Sequence, residues 1–438
     1  MQAMGVPAKQ PNAVRDAARN RRKKMNVTDS VKYVGVSDRE IDLFEGQFEV
    51  PDGMAYNSYL IIDEKICVMD SVDAAFGDQW LMNIEKALSE VPAADGKSRT
   101  PDYLVVQHME MDHSSNIRKF AEKYPDAKIV SSKMAFGMMK NMFEDDFAGR
   151  QVVVGEGSVL ELGGGDGCND GSSGESSAGN ANGSHALNFI AAPNVHWPEV
   201  IMTYDSKEKV LFSADAFGKF GAFDFDDPEG WECEARRYYF GIVGKFGSAV
   251  QSLLKKAAAL DIQTICSLHG PVLSENIGHY ISLYDTWSSY CVESDGVVIA
   301  YTSVYGHTKA AAEKLAELLT AKGCPKVVLS DLAREDIYEC VEDAFRYGKI
   351  VFASTTYCGG VFPKMREFIE HLVERNFQKR TVAFIENGSW APAAAKAMRA
   401  LLEPCTEMKY LDSKVSIKIS MKDADVAALE NLADELTA

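Results

Sequence analysis

From about Asp295 to its end the chain alternates short β-type runs with amphipathic helical stretches, and this alternation constrains the fold more than any other feature. Strands are expected at 297–301, 326–329, 349–353, 381–385 and near Val415, with helices at 308–322, 336–347, 365–376, 393–402 and from Asp423 onward. Strands separated by helix-length segments pair in parallel, because each connection must travel back along the sheet. Residues 295–438 therefore read as a doubly wound five-stranded parallel sheet, whose ligand sits at the carboxyl ends of its strands.

Three loops lie there. The first, Thr302-Ser303-Val304-Tyr305-Gly306-His307-Thr308, runs straight into a helix N-terminus. Backbone N–H groups and the helix dipole at such a point can hold a phosphate, with Ser303 and Thr308 as hydroxyl donors. No Gly-x-x-x-x-Gly-Lys is present, which excludes a nucleoside triphosphate loop. The other two are Ser354-Thr355-Thr356-Tyr357-Cys358-Gly359-Gly360 and Glu386-Asn387-Gly388-Ser389-Trp390.

A chain of 438 residues exceeds what one core supports, so a second domain must precede this one. Between residues 32 and 292 short apolar runs at 59–62, 66–69, 103–106, 128–130, 151–154, 189–191 and 210–213 alternate with helical patterns. That pattern suits two packed sheets with outer helices, and 236–260 reads as a long helical region. Residues 163–186 are almost wholly Gly, Ser, Asn and Asp, a composition that buries too little apolar surface to order itself; they read as a flexible insertion. Residues 1–31 read as a disordered basic tail without the apolar core of a secretory signal.

The formal charge of −18 argues against a nucleic-acid partner. Nine cysteines without a Cys-x-x-Cys exclude a rubredoxin-like iron centre and offer no disulfide framework, so a reducing cytoplasm is expected. No uninterrupted apolar stretch of about 18 residues predicts a membrane span.

Chemistry concentrates at 103–113, where an apolar run ends in His108, Glu110, Asp112 and His113. Alternate residues of an extended segment point the same way, so His108, Glu110 and Asp112 converge while His113 falls off that line. Three ligands on one loop exceed the needs of a structural zinc, and mixed carboxylate and imidazole donors suit a harder, redox-active ion. Further ligands are His196 in Pro-Asn-Val-His-Trp-Pro, Asp215 in Ser-Ala-Asp-Ala-Phe-Gly and His269 in Ser-Leu-His-Gly-Pro. His185, His279 and His371 match no motif and read as solvent-exposed or locally bonded.

With these motifs the chain resembles the metallo-β-lactamase-like superfamily and, within it, the flavodiiron proteins, which carry Glu where metallo-hydrolases usually have the second His of His-x-His-x-Asp-His. That position here is Glu110. The resemblance implies an N-terminal αββα sandwich followed by a flavodoxin-like domain. It assigns His108, Glu110 and His196 to one iron, Asp112 and His269 to the other and Asp215 to the bridge, and leaves His113 open. Tyr238 and Tyr239 resemble the stretch that donates a Tyr beside the metals, and the choice between them stays open. The loops 354–360 and 386–390 resemble those by which flavodoxins grip the isoalloxazine ring of FMN, with Trp390 placed to stack on the flavin or to wall it off. His307 departs from the Asn common in relatives. Implied too are dioxygen or nitric oxide as substrate, an external donor such as rubredoxin or a flavin or deazaflavin reductant, and a head-to-tail homodimer or dimer of dimers. A zinc hydrolase of the metallo-β-lactamase type fused to a flavodoxin domain is the alternative.

Overall fold

The structure, a computed structural model, describes residues 26–91, 99–163, 168–169, 183–225, 227–228 and 230–438. The basic tail before Asn26 and most of the Gly/Ser insertion lie outside the described residues. Contacts divide the chain into two compact units: Met1–Asp42, Val50–Pro228 and Leu260–Ile277 form the first, and Leu43–Glu49, Glu229–Ala259 and Gly278–Ala438 the second.

Two six-stranded sheets build the first unit. One runs in the order β1 (Val31–Tyr33), β2 (Tyr59–Ile62), β3 (Ile66–Met69), β4 (Tyr103–Val105), β5 (Lys128–Ser132), β6 (Gln151–Val154), with β3 to β6 parallel. The other contains β7 (Val159–Glu161), β8 (Cys168–Asn169), β9 (Ala186–Ala191), β10 (Ile201–Asp205), β11 (Val210–Phe212) and β12 (Thr264–Cys266), in the order β8-β7-β9-β10-β11-β12. Period-two alternation explains how they pack. Tyr59, Ile61, Cys67, Met69, Tyr103 and Val105 of the first sheet join Leu187, Phe189, Ile201, Val210, Phe212 and Cys266 of the second in one buried cluster. The first sheet's intervening residues Leu60, Val68 and Leu104 are buried as well. Helix Gly77–Ser89 buries Trp80, Leu81, Ile84 and Leu88 on one stripe, and the Trp80 indole N–H donates to Ser58 Oγ at 2.9 Å. The metal-ligand candidates lie in the loops, and in one short helical turn, that follow these strands.

The second unit holds the expected parallel sheet, with β13 (Ser294–Tyr301), β14 (Val327–Asp331), β15 (Tyr347–Tyr357), β17 (Thr381–Asn387) and β18 (Lys409–Ile417) in the order β14-β13-β15-β17-β18; the short β16 (Gly360–Val361) folds back on β15. Its core joins Val297, Ile299, Val351, Ala383, Ile385 and Val415 to Ala311, Leu315 and Leu319 of helix His307–Ala321 and Leu429 and Leu432 of helix Asp423–Thr437.

The expected long helix at 236–260 is broken: α-helical turns at Glu232–Tyr238 and Gly247–Ala257 flank a π-helical turn at Tyr239–Val243 and a 3-10 turn at Gly244–Phe246. Close approach is the physical reason. A Cβ on Gly241 would lie 2.8 Å from Phe48 Cε1, and one on Gly247 2.4 Å from the Ser288 carbonyl oxygen. This stretch, which the sequence reading assigns to the first domain, packs in the second unit. Arg236 there forks to Glu293 at 2.6 Å and Glu342 at 2.9 Å, and Phe240 stacks on Phe345 at 4.1 Å. The 43–49 segment joins the same unit, where Tyr338 donates its hydroxyl to Gln47 Oε1 at 2.7 Å.

Candidate metal centre and flavin cleft

Six of the seven metal-ligand candidates are buried and Glu110 nearly so, and they form two adjoining groups: His108, Glu110, His196 and Asp215 in one, Asp112, His113 and His269 in the other. The segment after β4 is extended only as far as Glu110; residues Met111–Ser114 then turn helically. That turn swings His113 back toward Asp112, 3.2 Å away, so it enters the second group instead of falling off the line that extended geometry implies.

Distances within the groups are short. His196 Nε2 lies 2.9 Å from Asp215 Oδ2 and 3.0 Å from Glu110 Oε2, and His108 Nε2 lies 3.2 Å from Asp215 Oδ2 and 3.3 Å from Glu110 Oε2. Asp215 turns its other oxygen to the second group, at 3.5 Å from His113 Nε2 and 3.6 Å from His269 Nε2. His269 Nε2 is also 3.3 Å from Asp112 Oδ2. Asp215 therefore touches both groups.

The loops that present these side chains are braced by backbone. Ala214 accepts from the Leu268 N–H at 2.9 Å, tying the Asp215 loop to the His269 loop, and the Asn57 amide donates to the Ser267 and Gly270 carbonyls at 2.9 Å each. Gly270 has φ +77°, and a Cβ there would meet Lys219 Cγ at 2.7 Å, so the sharp turn after His269 requires glycine.

The donor set fits a pair of metal ions. Imidazole nitrogens face each other at 3.2 Å (His108 and His196) and 3.0 Å (His113 and His269), and the carboxylate oxygens of Asp112 and Asp215 are buried without a hydrogen-bond donor among the described residues placed to satisfy them. Such an arrangement is costly unless a cation occupies its middle. Electrostatics of the metal-free cluster agree. Burial would press the imidazoles toward neutrality, yet Asp215 and its fellow carboxylates hold His108 well above the ordinary range, and Asp112 and Asp215 raise His113 to about 10. Asp215 and Glu110 likewise raise His196 to about 9, while against the upward pull of burial the histidines lower Glu110 to about 2.

Sequence reasoning missed two buried acids. Glu199 Oε1 receives His108 Nδ1 at 2.8 Å and the Met109 N–H at 2.9 Å. Asp70 accepts from the backbone N–H of Gln107 at 2.7 Å and from its side-chain amide at 2.8 Å. The one signal for Glu199 is its position three residues past His196; Asp70 is marked by being a carboxylate directly after the apolar β3 run. Tyr238 and Tyr239 lie in the second unit, both buried, with Tyr239 ringed by Phe240, Tyr284 and Trp287; neither enters the two ligand groups. His185 is buried and bonded to Asp205 at 2.7 Å and Ser30 at 2.9 Å, His279 to Glu232 at 2.8 Å, and His371 lies beside Arg375 at 3.4 Å.

In the second unit the three loops meet in a cleft of about 220 Å³ lined by Ser303, Tyr305, His307, Thr308, Thr356 and Asn387 among others. Thr308 Oγ1 meets Thr355 Oγ1 in its lining at 2.9 Å, and the preceding buried pair Thr302 and Ser354 bond to each other at 3.2 Å. Gly306, at φ +86°, caps the helix with no side-chain acceptor, leaving N–H groups for an anion. Val304, Tyr305, Tyr357 and Trp390 are exposed, Tyr305 at 89% and Trp390 at 85%, so the two large rings are not core packing and remain available to a flat ligand. Cys358 and Gly359 turn the β15–β16 hairpin with positive φ, Gly360 pairs with Tyr357, and Gly388 and Ser389 close the rim. A planar flavin with a phosphate tail fits these features.

Comparison with known proteins agrees with both halves. A flavodoxin domain matches residues 298–419 and an ODP family beta lactamase domain matches 171–270. Diflavin flavoprotein A 2 of Synechocystis is 31% identical over 69% of this chain and 48% of its own length. A nitric oxide reductase of Moorella thermoacetica is 28% identical over 86% of this chain and 89% of its own. The crystal structure of the flavodiiron protein from Giardia intestinalis superposes with a TM-score of 0.81 at 23% identity, covering 94% of this chain and 96% of that one. The chain spans about half the length of the first curated relatives it matches. A beta-lactamase-type domain that clusters metal ligands, followed by a flavodoxin domain, defines a two-module flavin and metal protein. Its fold is that of the flavodiiron proteins, and its two domains imply FMN and a non-haem diiron centre. Among the described residues, no helix is long and apolar enough to cross a membrane.

Proposed function

We propose that the chain is an oxidoreductase that reduces dioxygen to water, nitric oxide to nitrous oxide, or both, at a diiron centre fed by FMN. The observation that carries this reading is the doubled carboxylate–imidazole cluster, with Asp215 reaching both halves, in a chain that also carries a flavin cleft. In this assignment His108, Glu110 and His196 would hold one iron and Asp112 and His269 the other, Asp215 would serve both, and His113, 3.2 Å from Asp112 and 3.0 Å from His269, would join the second set. When bound, two ferrous ions and reduced FMN together supply four electrons, enough for dioxygen to water, while joining two nitric oxide molecules needs two. Carboxylates in place of an all-histidine cage favour iron over zinc, which weighs against the hydrolase alternative. Trp197 packs edge-on against His108 at 5.2 Å, and Glu110 is the most exposed of the proposed ligands. Similarity to the Moorella nitric oxide reductase supports the proposed substrate class.

The exposed rings about the flavin cleft suit docking of an external donor, rubredoxin or a flavin or deazaflavin reductant, and a two-fold head-to-tail assembly in which the FMN of one subunit serves the irons of its partner. A cytoplasmic setting completes the proposal. The test is elemental analysis and the visible flavin spectrum of purified protein, followed by anaerobic reduction and mixing with each gas. Two irons and one FMN per chain with rapid loss of either gas are expected. Zinc in the site, or a reduced iron- and FMN-loaded protein inert to both gases, overturns it.

A further inference from the structure

The two ligand groups have the same composition. Each offers two imidazoles and one carboxylate of its own, His108, His196 and Glu110 on one side and His113, His269 and Asp112 on the other, and each receives one oxygen of Asp215. What lies behind the imidazoles is not the same. His108 Nδ1 is bonded to the fully buried carboxylate of Glu199 at 2.8 Å, whereas His269 Nδ1 is bonded to a neutral acceptor, the Ala55 carbonyl, at 2.7 Å, and His113 Nδ1 has no hydrogen-bond partner among the described residues. Both acceptors fix the same tautomer, with Nδ1–H donated and the Nε2 lone pair aimed at the metal. Only Glu199 also places a full negative charge against the ring, in an interior where that charge is poorly screened.

Glu199 is itself held firmly. The same oxygen receives the Met109 N–H at 2.9 Å, its backbone carbonyl accepts from Ser132 Oγ at 3.0 Å, and the residue is 3% exposed. It therefore cannot rotate away from His108 without stranding two buried donors.

We infer that Glu199 is a positioning residue that makes two compositionally equal metal subsites unequal, so that the ion on the His108 side is held more tightly and is the more easily oxidised of the pair. The inference rests on the diiron reading proposed above. A carboxylate behind a ligating imidazole increases its donor strength, and loss of such partners typically costs roughly 10- to 100-fold in metal affinity. The stronger donor favours the ferric state of the ion it faces. Ala55 cannot do the same for the His269 side.

The test compares the iron-loaded protein with its Glu199→Gln variant, which keeps an oxygen for the Met109 N–H and for His108 while losing the charge. Chelator-driven release of iron from the reduced protein is expected in two phases of equal size. In the variant the slower phase should accelerate roughly tenfold while the faster stays as it was. In parallel, stepwise oxidation followed by electron paramagnetic resonance should give less of the mixed-valent state in the variant, because the two ions become more alike. A merely structural glutamate predicts no change in either readout for Glu199→Gln and broad loss of both irons for Glu199→Ala. Unchanged release phases, or equal acceleration of both, in a variant that still carries two irons overturns the inference. A wild-type chain that holds no metal pair removes the diiron reading and this inference with it.

Discussion

Replacing Asp70 by Asn should stabilise the metal-free protein, and by an amount that depends on pH. Asp70 is fully buried behind the loop that carries His108, and burial is the dominant influence on it. The two hydrogen bonds from Gln107 and the positive charge on His113 and His108 offset that burial only in part, so its pKa rises from 3.8 to about 6. An acid whose pKa is higher in the folded state holds its proton more tightly there. The stability it contributes is complete below pH 4 and is lost as pH rises through 6, a loss of about 3 kcal/mol by pH 7.5 and about 1 kcal/mol at pH 4.5. Asn carries no such loss, and its amide can face Gln107 Oε1, which has no hydrogen-bond partner among the described residues of the wild type. The Gln107 amide N–H group left over costs about 1 kcal/mol. Asn also accepts the left-handed backbone of this position, φ +56°, without strain. The net gain should thus grow from near zero at pH 4.5 to about 2 kcal/mol at pH 7.5. Urea unfolding of chelator-treated protein at the two pH values measures it, with the first unit's transition as the readout. Loading the metals should shrink the gain, since nearby cations favour ionised Asp70. A gain that does not vary with pH, or a variant less stable than wild type at pH 7.5, would refute the reasoning.

Asp215→Ala should abolish binding of at least one iron and gas reduction while leaving FMN in place, since the cleft belongs to a separate core; two irons per chain with normal turnover would exclude the bridging role. Replacing residues 164–183 by a short Gly-Ser linker should leave iron content and activity near those of the parent, because that composition cannot build a site; a large loss of either, seen by elemental analysis or gas consumption, would make the segment part of it. Two inactive variants, His108→Ala with His196→Ala and Gly306→Asp with Thr308→Ala, should regain gas reduction when refolded together, since a mixed head-to-tail dimer joins a working flavin to a working metal pair. Verified mixed dimers that stay inactive would exclude transfer between subunits.

Local pattern along the chain sufficed for the class of both folds and picked out most of the side chains that the fold gathers into one buried cluster. Hydrophobic periodicity is a local property, so the strand and helix alternation from Asp295 onward could be read along the chain, and β2, β3 and β6 fall where the short apolar runs lie. His108, Glu110, Asp112, His196, Asp215 and His269 were legible because each follows an apolar run or sits beside turn residues, in an order that chance rarely produces. The remainder depends on how distant segments meet. His113 joined the cluster because the chain turns helically at Met111, a change of geometry that alternation in an extended segment cannot anticipate. Glu199 and Asp70 look like ordinary acids in the sequence; they matter because burial strips them of water and leaves each a single set of partners. The stretch 232–257 packs with the second unit through contacts at Gly241 and Arg236 whose partners, Phe48, Glu293 and Glu342, lie far away in the chain. Local pattern names the elements and the donors, while the distances between side chains from distant segments, and the charges those distances permit, exist only once the chain has closed on itself.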